Sequence, residues 1–305
     1  MTSHLPLLIC VVGPTAIGKT SLAIALAEAF ETEIISADSR QFYKEMTIGT
    51  AVPSSEELAV AKHHFIQNKS IFDAFNVGDF EKEALQCLAA IFQKNQVAIL
   101  VGGSGLYVDS VVRGLDIFPD VAPDIRTALN IALVENGIES LQKELKSIDP
   151  TYYDKADIQN PHRVIRALEI YRASGQPFSS FLNQGAAKRN FKTIYIGLDA
   201  DRETIYDRIN QRVDQMFSEG LLAEAKLLYP HKELNALQTV GYRELFAHFD
   251  GTLSLNEAVS EIKKNTRRFA KRQGTWFRKN EQIEWFNFET DPAEIVSHIK
   301  TKNAL

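Results

Sequence analysis

At 305 residues, with 45% hydrophobic and 24% charged residues, the chain has the composition of a soluble globular protein of about two domains, large enough to bury a core without staples. Disordered, collagen-like and coiled-coil classes are excluded, and the apolar run at 5–12, broken by Pro6, is far short of the roughly 20 residues of a membrane span. The net charge of −5 means that any polyanion must be held by positive charge gathered locally.

Residues 7–12 read as a buried parallel strand, followed by a glycine loop and a helix over 20–30 with Leu22, Ala23, Leu26, Ala27 and Phe30 on one face. Ile34-Ile35 is a second short strand. Ser54-x-x-Glu57 predicts a capping box opening a helix towards His63, and Asp79 is expected to cap the next helix, which carries Leu85, Leu88, Ala89 and Phe92. Residues 97–101 form a third strand, ended by Gly102-Gly103. Alternating strands and helices predict an α/β fold, a P-loop-type parallel sheet flanked by helices. A Pro/Asp-rich link at 118–124 opens a stretch to about Ala187 that reads as all-helical, with breaks at Gly137, Pro150, Pro161, Gly175 and Pro177. The strand pattern returns at 193–198, helices continue to about 280, and 282–286 rejoins the sheet. The expected organisation is a core domain of 1–115 plus 191–305 and a helical insertion domain of 116–190. Cys10 and Cys87 show no metal spacing, and the opening residues lack a Lys/Arg-rich leader, which together fit a cytoplasmic setting.

Gly13-Pro14-Thr15-Ala16-Ile17-Gly18-Lys19-Thr20 fits G-x-x-x-x-G-K-[ST] in full, in the strand–turn–helix context the motif needs. The loop amides and the helix N-terminus attract phosphate, Lys19 adds a point charge, and Thr20 offers a hydroxyl to Mg²⁺. The loop marks a phosphate or diphosphate site without naming the compound. Asp38, leaving the second strand, is expected to face that loop, where a carboxylate can meet the metal through water or take a proton; a turn or N-cap role is the alternative. Gln41 has donors and acceptors suited to a base edge. An NTPase would end its apolar strand in a metal-binding Asp; here Gly102-Gly103-Ser104-Gly105 stands instead, which weakens NTP hydrolysis and leaves room for a close backbone approach to a substrate.

From Lys263 to Arg278 there are seven cations and no acid. On a helix, 263, 267 and 271 form one row and 264, 268 and 272 the next. Each like-charged pair costs roughly 0.2–0.5 kcal/mol on an isolated helix. Such rows call for an anionic partner, unless acids arrive from elsewhere in the fold. Val259, Ile262, Thr266, Phe269, Gln273 and Phe277 form the face expected to pack. His162, Arg163, Arg166 and Arg172 make a second cationic face. His63-His64, taken as neighbours on a helix, diverge and read as structural; Trp276 and Phe277 read as core, and Tyr107 as packed beside the glycine turn.

These pieces, together with Asp38-Ser39-Arg40-Gln41-Phe42-Tyr43, Ile48-Gly49-Thr50-Ala51, Gly102-Gly103-Ser104-Gly105-Leu106-Tyr107, Asn160-Pro161-His162-Arg163, Val240-Gly241-Tyr242 and Lys271-Arg272-Gln273-Gly274, run in order over nearly the whole chain. In that order they resemble the tRNA dimethylallyltransferase (tRNA isopentenyltransferase) family, of the bacterial type without a C-terminal zinc-finger segment. The resemblance implies transfer of a dimethylallyl group from dimethylallyl diphosphate to the exocyclic amine of the adenine 3′ of a tRNA anticodon. It implies a donor site at Gly13, Pro14, Thr15, Ala16, Ile17, Gly18, Lys19 and Thr20, with Mg²⁺ at Thr20 and Lys19, Thr20 and Asp38 catalytic. It places Asp38, Ser39, Arg40, Gln41, Ser104, Arg126, His162, Arg163, Arg166, Lys271 and Arg272 on the tRNA. Ser104 stands where the family commonly has Thr and keeps the hydroxyl; His162 stands where it has Gln, which bears on the first contact of that element. A monomer suffices. The other readings are a P-loop small-molecule or nucleotide kinase and a non-catalytic RNA-binding protein.

Overall fold

The computed structural model describes residues 5–182 and 187–303. Its strands are β1 (Leu7–Val12), β2 (Ile34–Ser36), β3 (His63–His64), β4 (Val97–Gly102), β5 (Lys192–Asp199) and β6 (Ile283–Asn287), in one parallel sheet of order β3-β2-β4-β1-β5-β6. The helices of the first half are α1 (Lys19–Ala29), α2 (Ser55–Val60), α3 (Val77–Phe92) and α4 (Gly105–Arg113). β1 is apolar throughout because both its faces are covered. Leu7, Ile9 and Val11 pack with Leu22, Ala23 and Leu26 of α1, while Leu8, Cys10 and Val12 pack with Phe80 and Leu88 of α3 and Val108 of α4. Each fully buried Leu or Val there contributes about 1.5–3 kcal/mol.

Three local expectations are revised. The capping box at Ser54 and Glu57 is present, but its helix ends at Val60. Ala61 is extended, and His63-His64 form an edge strand beside Ile34-Ile35. The two histidines therefore point to opposite sides: His64 Nε2 meets Glu33, and His63 Nδ1 donates to the Ala61 carbonyl at 2.8 Å. Asn76, not Asp79, is the N-cap of α3; Asp79 supplies the other half of the capping box by accepting from the Asn76 N–H at 3.0 Å. The turn after β4 leads straight into α4, whose start the glycines concealed. At Gly102 the close approach is taken by the protein itself: a Cβ there would lie 2.6 Å from the Ala37 carbonyl oxygen.

The second half holds α5 (Pro123–Ile148), α6 (Pro150–Tyr153), α7 (Pro161–Ser174), α8 (Arg202–Glu219), α9 (Leu221–Leu228), α10 (Tyr242–Phe249), α11 (Leu255–Phe277) and α12 (Pro292–Asn303). The chain divides into two units, Met1–Arg113 with Arg189–Leu305, and Gly114–Lys188. In the first, α8 to α11 share a core of Val213, Leu221, Leu245 and Ile262 with Met46. The second is a helical bundle around Leu129, Leu145, Leu168 and Phe178, with α5 kinked at Gly137 and α7 closed by Gly175. The expected helical stretch to about Ala187 includes 183–186, which lie outside the described residues. Among the described residues no helix is long and apolar enough to cross a membrane.

Candidate active site

The loop from Gly13 to Gly18 turns β1 into α1, with Ala16 and Gly18 both at positive φ (63° and 107°). Lys19 Nζ reaches back to the Pro14 carbonyl at 2.6 Å. Desolvation pushes the Lys19 pKa down to about 7, opposed by the Asp38 carboxylate and reinforced by the Arg212 guanidinium. The ammonium is therefore short of counter-charge and gains from an anion beside it.

Lys19 and Thr20 open into a cavity of about 890 Å³, whose walls also carry Asp38, Arg208 and Arg212. Its apolar lining includes Ile48, Val52, Pro53, Leu58 and Met216. Asp38 leaves the carboxyl end of β2 in a turn closed by its own side chain, Oδ1 accepting from the Arg40 N–H at 3.0 Å. The turn reading of Asp38 thus holds, and Oδ2 makes no hydrogen bond among the described residues. Ser104 accepts from the Ser39 N–H and donates to the Ser39 hydroxyl, each at 3.2 Å, so the two hydroxyls form one unit next to Asp38. Arg40 is tied to the Asn235 carbonyl at 3.1 Å. Gln41 lines the cavity but is not a free base reader: its amide nitrogen donates to the Thr50 and Ala51 carbonyls and its oxygen accepts from Ser36.

Three residues were missed in the sequence. Gln273, placed on the packing face, accepts from the Thr15 N–H at 2.8 Å and donates to the Gly103 carbonyl at 3.0 Å, joining the phosphate loop to the turn after β4. The available signal was a Gln among residues that had to be buried, since a buried amide must find partners. Arg208 Nε holds the Ala16 carbonyl at 2.8 Å, and its guanidinium lies over the Phe288 ring. Arg212 is desolvated, which lowers its pKa, with Asp38 and Glu57 countering. The i,i+4 spacing of Arg208 and Arg212 on α8 was readable; its direction towards the loop was not.

The cationic rows of α11 are only half unpaired. Lys263 pairs with Asp214, Lys264 with Glu261 and Arg278 with Asp199, while Arg267 donates to Asn210. Lys271 and Arg272 are exposed, without an acid partner among the described residues, and Arg272 lies over the Phe269 ring. Phe269 and Trp276, expected to pack, are 37% and 42% exposed; Phe277 is buried as expected. Trp276 donates its indole N–H to Asp109 at 2.9 Å. Tyr107 packs against Phe42 and Phe80. In the helical unit, Arg126 and Arg166 share the buried Glu169, and His162 and Arg163 are exposed at the start of α7.

Residues 41–280 match the family described as IPP transferase. The chain is 62% identical over 295 residues to the tRNA dimethylallyltransferase of Christiangramia forsetii, covering 97% of this chain and 98% of that one. With the tRNA dimethylallyltransferase of Flavobacterium johnsoniae the identity is 59% over 298 residues, 96% of each chain. Among solved structures, the tRNA isopentenylpyrophosphate transferase of Bacillus halodurans is similar with a TM-score of 0.72 at 37% identity, covering 97% of this chain and 95% of that one. A eukaryotic dimethylallyltransferase acting on tRNA shares the fold, with a TM-score of 0.79 at 24% identity, over 98% of this chain and 77% of its own.

Proposed function

The chain belongs to the IPP transferase family of tRNA dimethylallyltransferases, and from that premise we propose how its residues divide the work. It transfers a dimethylallyl group from dimethylallyl diphosphate to the N6 amine of the adenine 3′ of the anticodon in tRNA. The kinase reading is not favoured. One observation carries the assignment of roles: the phosphate loop, the Asp38 carboxylate and an apolar strip open into the same cavity.

The diphosphate of the donor lies on the loop Gly13–Thr20, neutralised by Lys19 and by Arg208 and Arg212 from α8. The dimethylallyl group lies against the apolar strip. An adenine amine is a weak nucleophile because its lone pair is delocalised into the ring. Reaction therefore depends on making diphosphate a good leaving group, which fixed positive charge in a desolvated site does. The bond between the allylic carbon and the diphosphate oxygen breaks, that carbon bonds to N6, and an N6 proton passes to Asp38 Oδ2. Apolar walls exclude water, which would otherwise hydrolyse the donor. The residues fit a hard cation. The Thr20 hydroxyl and Asp38 Oδ2 are oxygen donors on the cavity wall with no hydrogen bond among the described residues, so Thr20 would hold Mg²⁺ with Asp38 nearby. When bound, the ion offsets charge on the leaving diphosphate.

On the RNA side, Ser39, Arg40 and Ser104, grouped next to Asp38 by their hydrogen bonds, contact the tRNA. Lys271 and Arg272 of the one unit supply positive charge to the RNA, and His162, Arg163, Arg166 and Arg126 of the helical unit are the other RNA contacts. Gln41 shapes the entry by bracing the loop at 50–51. The target base must leave its stack, at a cost of a few kcal/mol that phosphate contacts offset. The enzyme works in the cytoplasm as a monomer. The test is incubation with labelled dimethylallyl diphosphate, Mg²⁺ and unmodified tRNA carrying adenine at the target position. Label in the RNA is expected; turnover of ATP with no label transfer would favour a kinase, and RNA retention with neither an RNA-binding protein.

A further inference from the structure

Two walls of the cavity come from segments far apart in the chain. The loop at 47–53 brings Ile48, Val52 and Pro53 to it; α8 brings Arg208, Arg212 and Met216. The phosphate loop reaches α8, where Arg208 Nε donates to the Ala16 carbonyl, but among the described residues it makes no hydrogen bond to the loop at 47–53. The residue that joins them is Glu224 on α9, the helix that follows α8 after the turn at Gly220.

The Glu224 carboxylate accepts from the N–H groups of Thr47 at 2.9 Å, Ile48 at 2.8 Å and Gly49 at 2.9 Å. It also accepts from the Tyr242 hydroxyl at 2.7 Å. Four donors match the roughly four lone-pair sites of a carboxylate. Consecutive N–H groups converge on one point only where the backbone curls into a concave anion seat. Here the curl is closed by the Thr50 hydroxyl on the Met46 carbonyl at 2.7 Å and by the Ala51 N–H on the Ile48 carbonyl at 3.0 Å. Tyr242 locks it from behind: a Cβ on Gly49 would lie 2.6 Å from the tyrosine ring, so only glycine lets the ring reach the loop. This accounts for the Ile48-Gly49-Thr50-Ala51 and Val240-Gly241-Tyr242 pieces of the sequence as the two halves of one lock. Glu224, Gly49 and Tyr242 themselves are not on the cavity wall, whereas Thr47, Ile48 and Thr50 are.

We propose that Glu224 is a positioning residue that fixes the width of the apolar end of the cavity, and so selects a five-carbon over a longer prenyl diphosphate. The inference rests on the cavity being the donor site. A side chain that merely held the fold together would, when altered, lower turnover of every donor alike; one that sets the wall changes the ratio between donors. Gln is the same size but offers one acceptor oxygen and turns an NH₂ group towards N–H donors, so the loop loses its seat.

The test uses the full chain and unmodified tRNA, with dimethylallyl and geranyl diphosphate as alternative donors. For Glu224→Gln, the ratio of kcat/KM between the five- and ten-carbon donors should fall about tenfold or more. Its KM for dimethylallyl diphosphate should rise about tenfold, while the KM for tRNA stays within twofold. Tyr242→Phe keeps the ring against Gly49 and removes one of the four donors, so it should move the ratio the same way by about threefold. An unchanged ratio in either folded variant overturns the proposal. If Glu224→Gln does not fold, Tyr242→Phe decides alone. Failure of the unaltered protein to transfer the five-carbon group would overturn the functional reading itself, and is seen before any variant is compared.

Discussion

The two ends of the cavity are built in different ways. At the phosphate end the loop closes on itself, with Lys19 bonded to Pro14 five positions away. At the apolar end the loop at 47–53 has a local brace in Gln41 but is also held by Glu224, which stands 175 positions beyond Gly49. A local lock can be written as a short motif, and the chemistry it carries follows from residue types and spacing. A long-range lock leaves only isolated residues in the sequence, and their meaning appears when the chain is folded. The difference separates what is charged and reactive from what gives the reactive groups their shape.

Asp38 gives the largest expected effect and the sharpest test of the local end. Asp38→Asn keeps the turn geometry but cannot take up the amine proton. We expect kcat to fall roughly 10²–10⁴-fold, the usual range for a general base, with tRNA affinity unchanged within twofold. Stopped-flow or single-turnover transfer, measured beside an RNA-binding titration, separates the two. Equal losses in both would reduce Asp38 to an RNA contact, and the reactive end would have to be sought elsewhere.

Gln273 breaks the contrast from the other side, because it ties the local loop to a residue 258 positions away. Gln273→Leu leaves the part-buried Thr15 N–H and the buried Gly103 carbonyl without a partner, at about 1–3 kcal/mol for the buried group. Thermal unfolding should shift to lower temperature, and the donor KM should rise while the tRNA KM does not. A variant as stable as the parent would show that the phosphate loop holds its shape alone.

Much of the fold was legible in the sequence for the same reason that the phosphate loop was. β1 buries both faces, so it is apolar without alternation, and β6 and the helical breaks at Gly175 and Pro161 announce themselves through residue type. The failures have physical causes. The Ser54 capping box marks where a helix starts but not that it stops after Val60, because the edge pairing of His63-His64 with β2 is a tertiary contact. The Gly102–Gly105 run reads as a loop, although Gly105 begins α4. Trp276 at the helix end reads as core, but its indole N–H donates to Asp109 and the residue is 42% exposed. In the site, Lys19, Thr20 and Asp38 were readable from the motif and the strand ends. Arg208, Arg212, Gln273 and Glu224 were not, because each acts across the fold.

The Lys19 charge offers a pH measurement with a defined sign. In the free protein desolvation lowers its pKa to about 7, and the negative charge of a bound diphosphate would raise it. Binding above that pH therefore takes up a proton. Affinity for inorganic diphosphate should be full below pH 7 and weaken as pH rises through that value, by at most about tenfold per pH unit. The ionisation of diphosphate itself acts in the opposite direction, so the useful quantity is the affinity relative to Lys19→Met across pH 6 to 9. A flat ratio would mean that the ammonium stays fully charged without a ligand.

The smallest effect concerns the exposed end of α11, where shape matters least and charge most. Lys263, Lys264 and Arg278 are already paired with acids, so removing them mainly exposes a carboxylate. Lys271 and Arg272 have no such partner among the described residues, and the cost of their like-charged i,i+4 neighbours Arg267 and Arg268 is recovered only when an anion arrives. Replacing both with Ala should weaken tRNA binding several-fold and flatten the slope of log affinity against log salt by about 1.4, at roughly 0.7 per phosphate contact with single-stranded RNA. Donor KM and thermal stability should hold. Replacing Lys263 and Lys264 instead should leave the slope nearly as it was, since their charge is spent inside the protein. If the two pairs behaved alike, the α11 cations would act as a diffuse field, and the distinction between paired and unpaired positions would carry no weight for RNA.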